Sequence, residues 1–149
     1  MNKSIRLTIL LMVIVITIWL VNFIVRDKVK DSYVKRATIA NALAIASTLK
    51  IGIETYYYDN NELPHSNYAL GIPEPEELRR KGLKSIDIEE GGVIHITVDD
   101  EDSEKDGHIF LIPHDLSSHL NDRWLCLTPS YKTISQWAPQ CQYKPVDGW

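Results

Sequence analysis

The chain has 149 residues, 24% of them charged and 44% hydrophobic. That is enough for one apolar anchor and one folded core of roughly 100 residues, and it excludes a disordered chain. The net charge of −4 is unevenly spread: residues 1–36 carry seven Lys/Arg against Asp27 and Asp31, while residues 37–149 carry nine Lys/Arg against eighteen Asp/Glu. The acidic part is a poor partner for nucleic acid, whose phosphates need clustered cations. The basic stretch 26–36 is suited instead to lipid headgroups.

Residues 7–25 read LTILLMVIVITIWLVNFIV, with no charge and no proline. A helix of that length reaches roughly 28 Å, close to the thickness of a bilayer's hydrocarbon core. Trp19 and Phe23 lie near its outer end, where aromatic anchors are common. The run exceeds the apolar part of a secretory signal, and Asn22-Phe23-Ile24-Val25-Arg26 offers no pair of small residues for cleavage. An uncleaved transmembrane helix is therefore expected. The cations after the span (Arg26, Lys28, Lys30, Lys35, Arg36) outnumber Lys3 and Arg6 before it, which taken alone opposes the positive-inside rule. Two observations outweigh this: the preceding tail is short, and the only two cysteines, Cys126 and Cys141, both lie in the C-terminal part. The expected organisation is a cytoplasmic segment 1–6, a span 7–25 and a periplasmic domain 26–149 on the oxidising side of a bacterial inner membrane.

No Gly or Pro occurs between Met1 and Lys50, so the helix can run on. Ile39, Ala42, Ala46, Leu49, Ile53 and Tyr57 follow 3–4 spacing and predict a buried stripe. The helix is expected to end near Tyr58, before Asp59-Asn60-Asn61-Glu62-Leu63-Pro64. A loop over 59–84 follows, with a short helix over 74–81 that has Pro75 in its first turn. A sheet is expected over 85–127, with strands at 85–89, 93–98, 108–112 and 123–127. Gly91-Gly92 turns the first hairpin, and the acidic 99–107 links the second and third strands. Residues 128–149 read as a turn-rich C-terminal loop. The fold class is α+β: a long N-terminal helix, first transmembrane and then amphipathic, packed on an antiparallel sheet of about four strands.

The order of these features, together with particular residues, resembles a type IV pilin. Tyr33-x-x-Arg36-Ala37, with Ala42, Ala46, Lys50 and Tyr56-Tyr57, is similar to the pilin helix. Asp59-Asn60-Asn61, Pro64, Asn67 and Gly71-Ile72 resemble the loop between helix and sheet. Lys84-Ser85-Ile86 with Gly92-Val93-Ile94 resembles the first hairpin, and Trp124-x-Cys126 with Ala138-Pro139-x-Cys141 resembles the C-terminal disulfide region. The resemblance covers nearly the whole chain. It implies a non-enzymatic protein without cofactor or small-molecule substrate, whose partners are the lipid bilayer and pilins or the pilus assembly machinery.

Three landmarks depart from that pattern. Aligned without gaps from Tyr33, the chain has Arg6 at the leader glycine, Leu11 at the N-terminal glutamate and Lys28 at the helix-kinking proline. The family's leader peptidase needs a small residue at the cut, so the resemblance implies that cleavage fails at Arg6. The glutamate is a costly charge in an apolar setting unless a neighbouring subunit's amino group pairs with it, and Leu11 cannot take that role. A retained basic leader would also have to desolvate Lys3 and Arg6 to enter an apolar filament core. The expectation is a non-polymerising accessory or modulator of pilus assembly. The alternatives are a minor pilin subunit, or a binding or immunity module that reuses the fold.

Other motifs have plainer readings. Cys126 and Cys141 look like a disulfide pair, against two reduced thiols, and closing such a loop is worth about 3 kcal/mol; the spacing is not that of a redox-active pair. Asp102-x-Glu104-x-Asp106-Gly107 imitates half of an EF-hand, but Pro113 stands where the bidentate glutamate is needed, so a solvated acidic hairpin is expected. His95, His108, His114 and His119 lack helical ligand spacing, and no metal site is expected from it. His114, Asp115, Ser117 and Ser118 lack a nucleophile elbow. One or two of Tyr56, Tyr57 and Tyr58 should pack under the sheet, with Trp124, Trp137 and Trp149 as core or cover.

Overall fold

The computed structural model describes residues 3–80, 82–99, 105–116 and 123–145, the side chains of 3–7 and 27–32 excepted. The chain forms two compact units, Met1–Lys35 and Arg36–Trp149. One helix, α1 (Lys3–Asn60), contributes to both and ends two residues beyond the expected stop.

In the first unit, Thr8–Arg26 is apolar and long enough to cross a bilayer, and none of it is buried. Its polar interruptions are satisfied on the helix itself. Thr17 Oγ1 donates to the Ile14 carbonyl at 2.8 Å, and Asn22 Nδ2 donates to the Ile18 carbonyl at 2.8 Å. Such self-satisfied side chains suit a helix in lipid, where no water is available to them. The helix is unbroken through position 28.

In the second unit, α1 buries Ile39, Ala42, Leu43, Ala46 and Ile53, with Leu49 half-buried beside them. The two alanines let the helix lie close to the sheet, because neither projects beyond a methyl group. The sheet has five strands in the order β1 (Leu83–Glu89), β2 (Val93–Val98), β3 (Gly107–Pro113), β4 (Trp124–Thr128) and β5 (Cys141–Tyr143). β1 to β4 pair antiparallel, and β5 runs parallel to β4. Ile86, Ile88, Ile94, Ile96, Val98, Ile109 and Leu111 point into the core, as alternation along the strands requires. A register shift between Leu83 and Ser85 lets Leu83 and Ile86 face inward although they are three apart.

The structure departs from the expectations in three places. The fifth strand lies in the stretch expected as loop; three residues with little alternation carry no periodic signal. The helix expected over 74–81 is a 3-10 turn, Pro75–Leu78. None of the three tyrosines is buried: Tyr56 and Tyr57 are half-buried and Tyr58 is exposed. Ile53 ends the core one turn earlier. It lies with Leu63 and Pro113 around Gly92, whose φ of +69° and close neighbours would strain any side chain there.

Candidate functional site

Two surfaces of the second unit collect polar and aromatic side chains. The first joins α1 to the C-terminal strands. Glu54 accepts from Trp124 Nε1 at 2.8 Å through one carboxylate oxygen and pairs with Arg123 Nη1 at 2.9 Å through the other. Lys50 Nζ lies 5.3 Å from the centre of the Trp124 ring, a cation–π geometry. Burial pushes the Lys50 ammonium below its usual pKa, and nearby Glu54 offsets part of that. About four turns farther back along the helix, the Arg36 guanidinium lies 5.2 Å from the centre of the Trp137 ring. Of the three tryptophans expected as core or cover, Trp124 and Trp137 pack against the core. Cys126 and Cys141 form the disulfide, at directly paired positions of β4 and β5 with Cα atoms 4.4 Å apart. The helix, β4 and the C-terminal loop are thus fastened together.

Asn67 fastens the loop between helix and sheet to the other edge. It is buried; its Nδ2 donates to the carbonyls of Pro73 at 2.9 Å and Ile86 at 3.2 Å, and its Oδ1 accepts from Ile88 N–H at 2.7 Å. The side chain stands where a sixth strand would hydrogen-bond with β1. Arg80 and Leu83 exchange backbone bonds along the same edge, which shields it from edge pairing.

The second surface is the sheet face away from the helix. Glu89, Val93, His95, His108, Phe110, Ile112 and Pro129 line a groove of about 510 Å³ there. His95 opposes Phe110 in register and stacks on it, with centroids 4.3 Å apart and planes at 18°. His95 Nδ1 lies 2.6 Å from Glu89 Oε1, and His95 Nε2 lies 3.0 Å from His108 Nδ1. His108 is held through its backbone: its N–H donates to Ser130 Oγ at 2.9 Å, and its carbonyl accepts from Thr128 Oγ1 at 2.5 Å. Burial, and then the neighbouring His95, hold the His108 imidazole below its usual pKa.

The residues singled out in the sequence scatter over the molecule. Leu11 is exposed within the apolar part of α1; Arg6 and Lys28 lie in the helix with side chains outside the described residues. Asp102 and Glu104 are outside them as well. Asp106 pairs with Lys84 Nζ at 2.5 Å, and Gly107–Pro113 is strand. His114 is exposed just beyond β3, its N–H bonded to the Arg123 carbonyl; His119, Ser117, Ser118 and Trp149 lie outside the described residues. Among the described residues no three His, Cys, Asp or Glu converge on one point. The roles of Glu54 and Asn67 escape sequence reasoning, since their partners lie up to 70 residues away. The His95–His108 pair escapes a helical spacing rule, but alternation finds it: both occupy outward positions of the two strands that flank the 99–107 hairpin.

Residues 35–142 match the pilin family, described as bacterial filament pilins. The chain is also similar to a fimbrial protein of Neisseria meningitidis serogroup B, 29% identical over 63 residues. That stretch is 42% of this chain and 37% of the fimbrial protein, so the chain matches well under half of that relative's length. The family match takes in most of the helix-on-sheet unit, including both disulfide cysteines and the loop pinned by Asn67. The chain belongs to the pilin family and is a type IV pilin-like protein.

Proposed function

We propose that this protein is an accessory of type IV pili that stays in the inner membrane and modulates assembly without polymerising. In this reading Thr8–Arg26 is its single membrane span, residues 1–6 face the cytoplasm and the disulfide-closed unit lies in the periplasm. The observation that carries it is the pairing of Arg6 with Leu11 at the two positions where pilins have a cleavable glycine and a registering glutamate. Leu11 is an apolar, exposed side chain on an apolar helix; it suits lipid and offers nothing to a neighbour's amino group. The unbroken course of α1 through Lys28 supports the same reading. The partners are other pilins or the assembly machinery, met through the helix or the head.

The mass of the protein isolated from membranes, together with its distribution between membranes and sheared filaments, tests this. The expected result is a chain that keeps residues 1–6 and stays with the membrane. A new terminus at Leu7, with recovery in filaments, would overturn it. The second reading, a minor pilin subunit, is favoured by the family match over the head, and that outcome would establish it.

A further inference from the structure

The outer groove holds an arrangement that the reading proposed above does not use. β2 and β3 pair antiparallel, with His95 opposite Phe110 and Thr97 opposite His108, so the two histidines are diagonal neighbours on one face. Their facing nitrogens are 3.0 Å apart. A hydrogen bond accounts for that separation, and so does a shared metal ion: two nitrogens each about 2.0–2.1 Å from a metal, at angles between square and tetrahedral, stand roughly 2.9–3.4 Å apart.

The surroundings favour a ligand. With Glu89 accepting from His95 Nδ1–H at 2.6 Å, that tautomer keeps the Nε2 lone pair on the side of His108, and His108 offers its own Nδ1 lone pair when its ring proton moves from Nδ1 to Nε2. A carboxylate behind one imidazole nitrogen, with the other nitrogen presented forward, is the usual support of a metal-binding histidine. Phe110 stacks on the His95 ring and restrains it. Thr128 and Ser130 fix the backbone of His108. The groove of about 510 Å³ gives space for waters to complete a coordination sphere. Residues 37–149 carry the chain's excess of acidic side chains, which raises the local concentration of cations.

We propose that His95 Nε2 and His108 Nδ1 together bind one divalent copper ion, with Glu89 orienting His95 and water filling the remaining positions. Imidazole nitrogens select late first-row metals over calcium or magnesium, and copper(II) stands highest in affinity among them. Zinc(II) binds the same pair more weakly. With two protein ligands the site is open and exchanges its ion.

The test is a copper titration of the full-length, metal-free protein in detergent, followed by electron paramagnetic resonance. One copper per chain is expected, with superhyperfine structure from two imidazole nitrogens. His95→Ala and His108→Ala should each leave one nitrogen and weaken binding at least about tenfold; Glu89→Gln should keep both nitrogens and weaken binding about 10–100-fold. His114→Ala should change nothing. Nitrogen NMR of the unmutated protein with zinc chloride keeps the proposal testable should a variant misfold: the two facing nitrogens should shift and those of His65 and His114 should not. The absence of saturable one-to-one binding, a copper spectrum unchanged by His108→Ala, or zinc shifts confined to other histidines would overturn the site.

Discussion

Asn67 shows how one buried amide can take the place of a strand. It satisfies a donor and an acceptor of β1 and a carbonyl of its own loop, so truncation strands two buried backbone groups of β1 and releases the Pro73 carbonyl, which solvent can reach. Asn67→Ala should destabilise the folded unit by about 2–4 kcal/mol, seen as a lowered midpoint in chemical denaturation, whereas exposed Tyr68→Ala next to it should have little effect. Lys50 gives a pH-dependent counterpart. Its folded pKa is depressed by burial, so the charged side chain opposes folding while it stays protonated. That penalty is present at neutral pH, fades as pH rises through the folded pKa, and is gone above the free lysine value of about 10.4. Glu54 offsets part of it, and partial exposure keeps it to a fraction of a kcal/mol, on the order of a surface ion pair. The stability of Lys50→Met relative to the parent should therefore fall as pH rises toward the free lysine value of about 10.4 and level off above it, and a difference that stays flat through that rise would contradict this account. Residues of this kind are hard to read in advance. Ile39, Ala42, Ala46 and Ile53 announce themselves by spacing, because a helix repeats. Asn67 and Glu54 act on partners brought near only by the fold, and nothing local marks them.

The elements differ in legibility for the same reason. α1 is readable end to end because its apolar run, its alanines and its buried stripe all agree, and strands β1 to β4 alternate. β5 has three residues, Cys141 alone facing inward, too few to alternate visibly; the cysteine is the only signal, and it identifies a tether and not a strand. The disulfide and β5 are one device, since Cys126 and Cys141 are register partners as well as bonded atoms. Their separation of 15 residues makes the bond worth about 3 kcal/mol in the chain-entropy picture. Replacing both cysteines with serine should lower stability by about that amount. β5 should lose its protection first, so hydrogen exchange at Gln142 and Tyr143 should accelerate more than at Ile96 or Ile109 in the centre of the sheet. Uniform acceleration across the sheet would mean that β5 is not held separately by the bond.

At the scale of the whole molecule, two sets of features were legible for different reasons. The head follows from the order of helix, loop, hairpins and cysteine pair, which a single core of this size can satisfy in few ways. The proposed fate of the chain rests on two side chains of the first helix turns, Arg6 and Leu11, both in the unit Met1–Lys35. This separation makes the accessory reading open to a direct experiment. Arg6→Gly should restore a cleavable leader, and Leu11→Glu should restore a charge that is tolerable in an apolar setting only when a neighbour neutralises it. Both positions lie outside the unit Arg36–Trp149. The double variant should lose residues 1–6 and appear in sheared filaments. Arg6→Gly alone should be cut but remain in the membrane, because Leu11 still gives a filament no registering charge. If the double variant is processed and still absent from filaments, the barrier to polymerisation lies in the head or at Lys28, and the role assigned here to Leu11 is wrong.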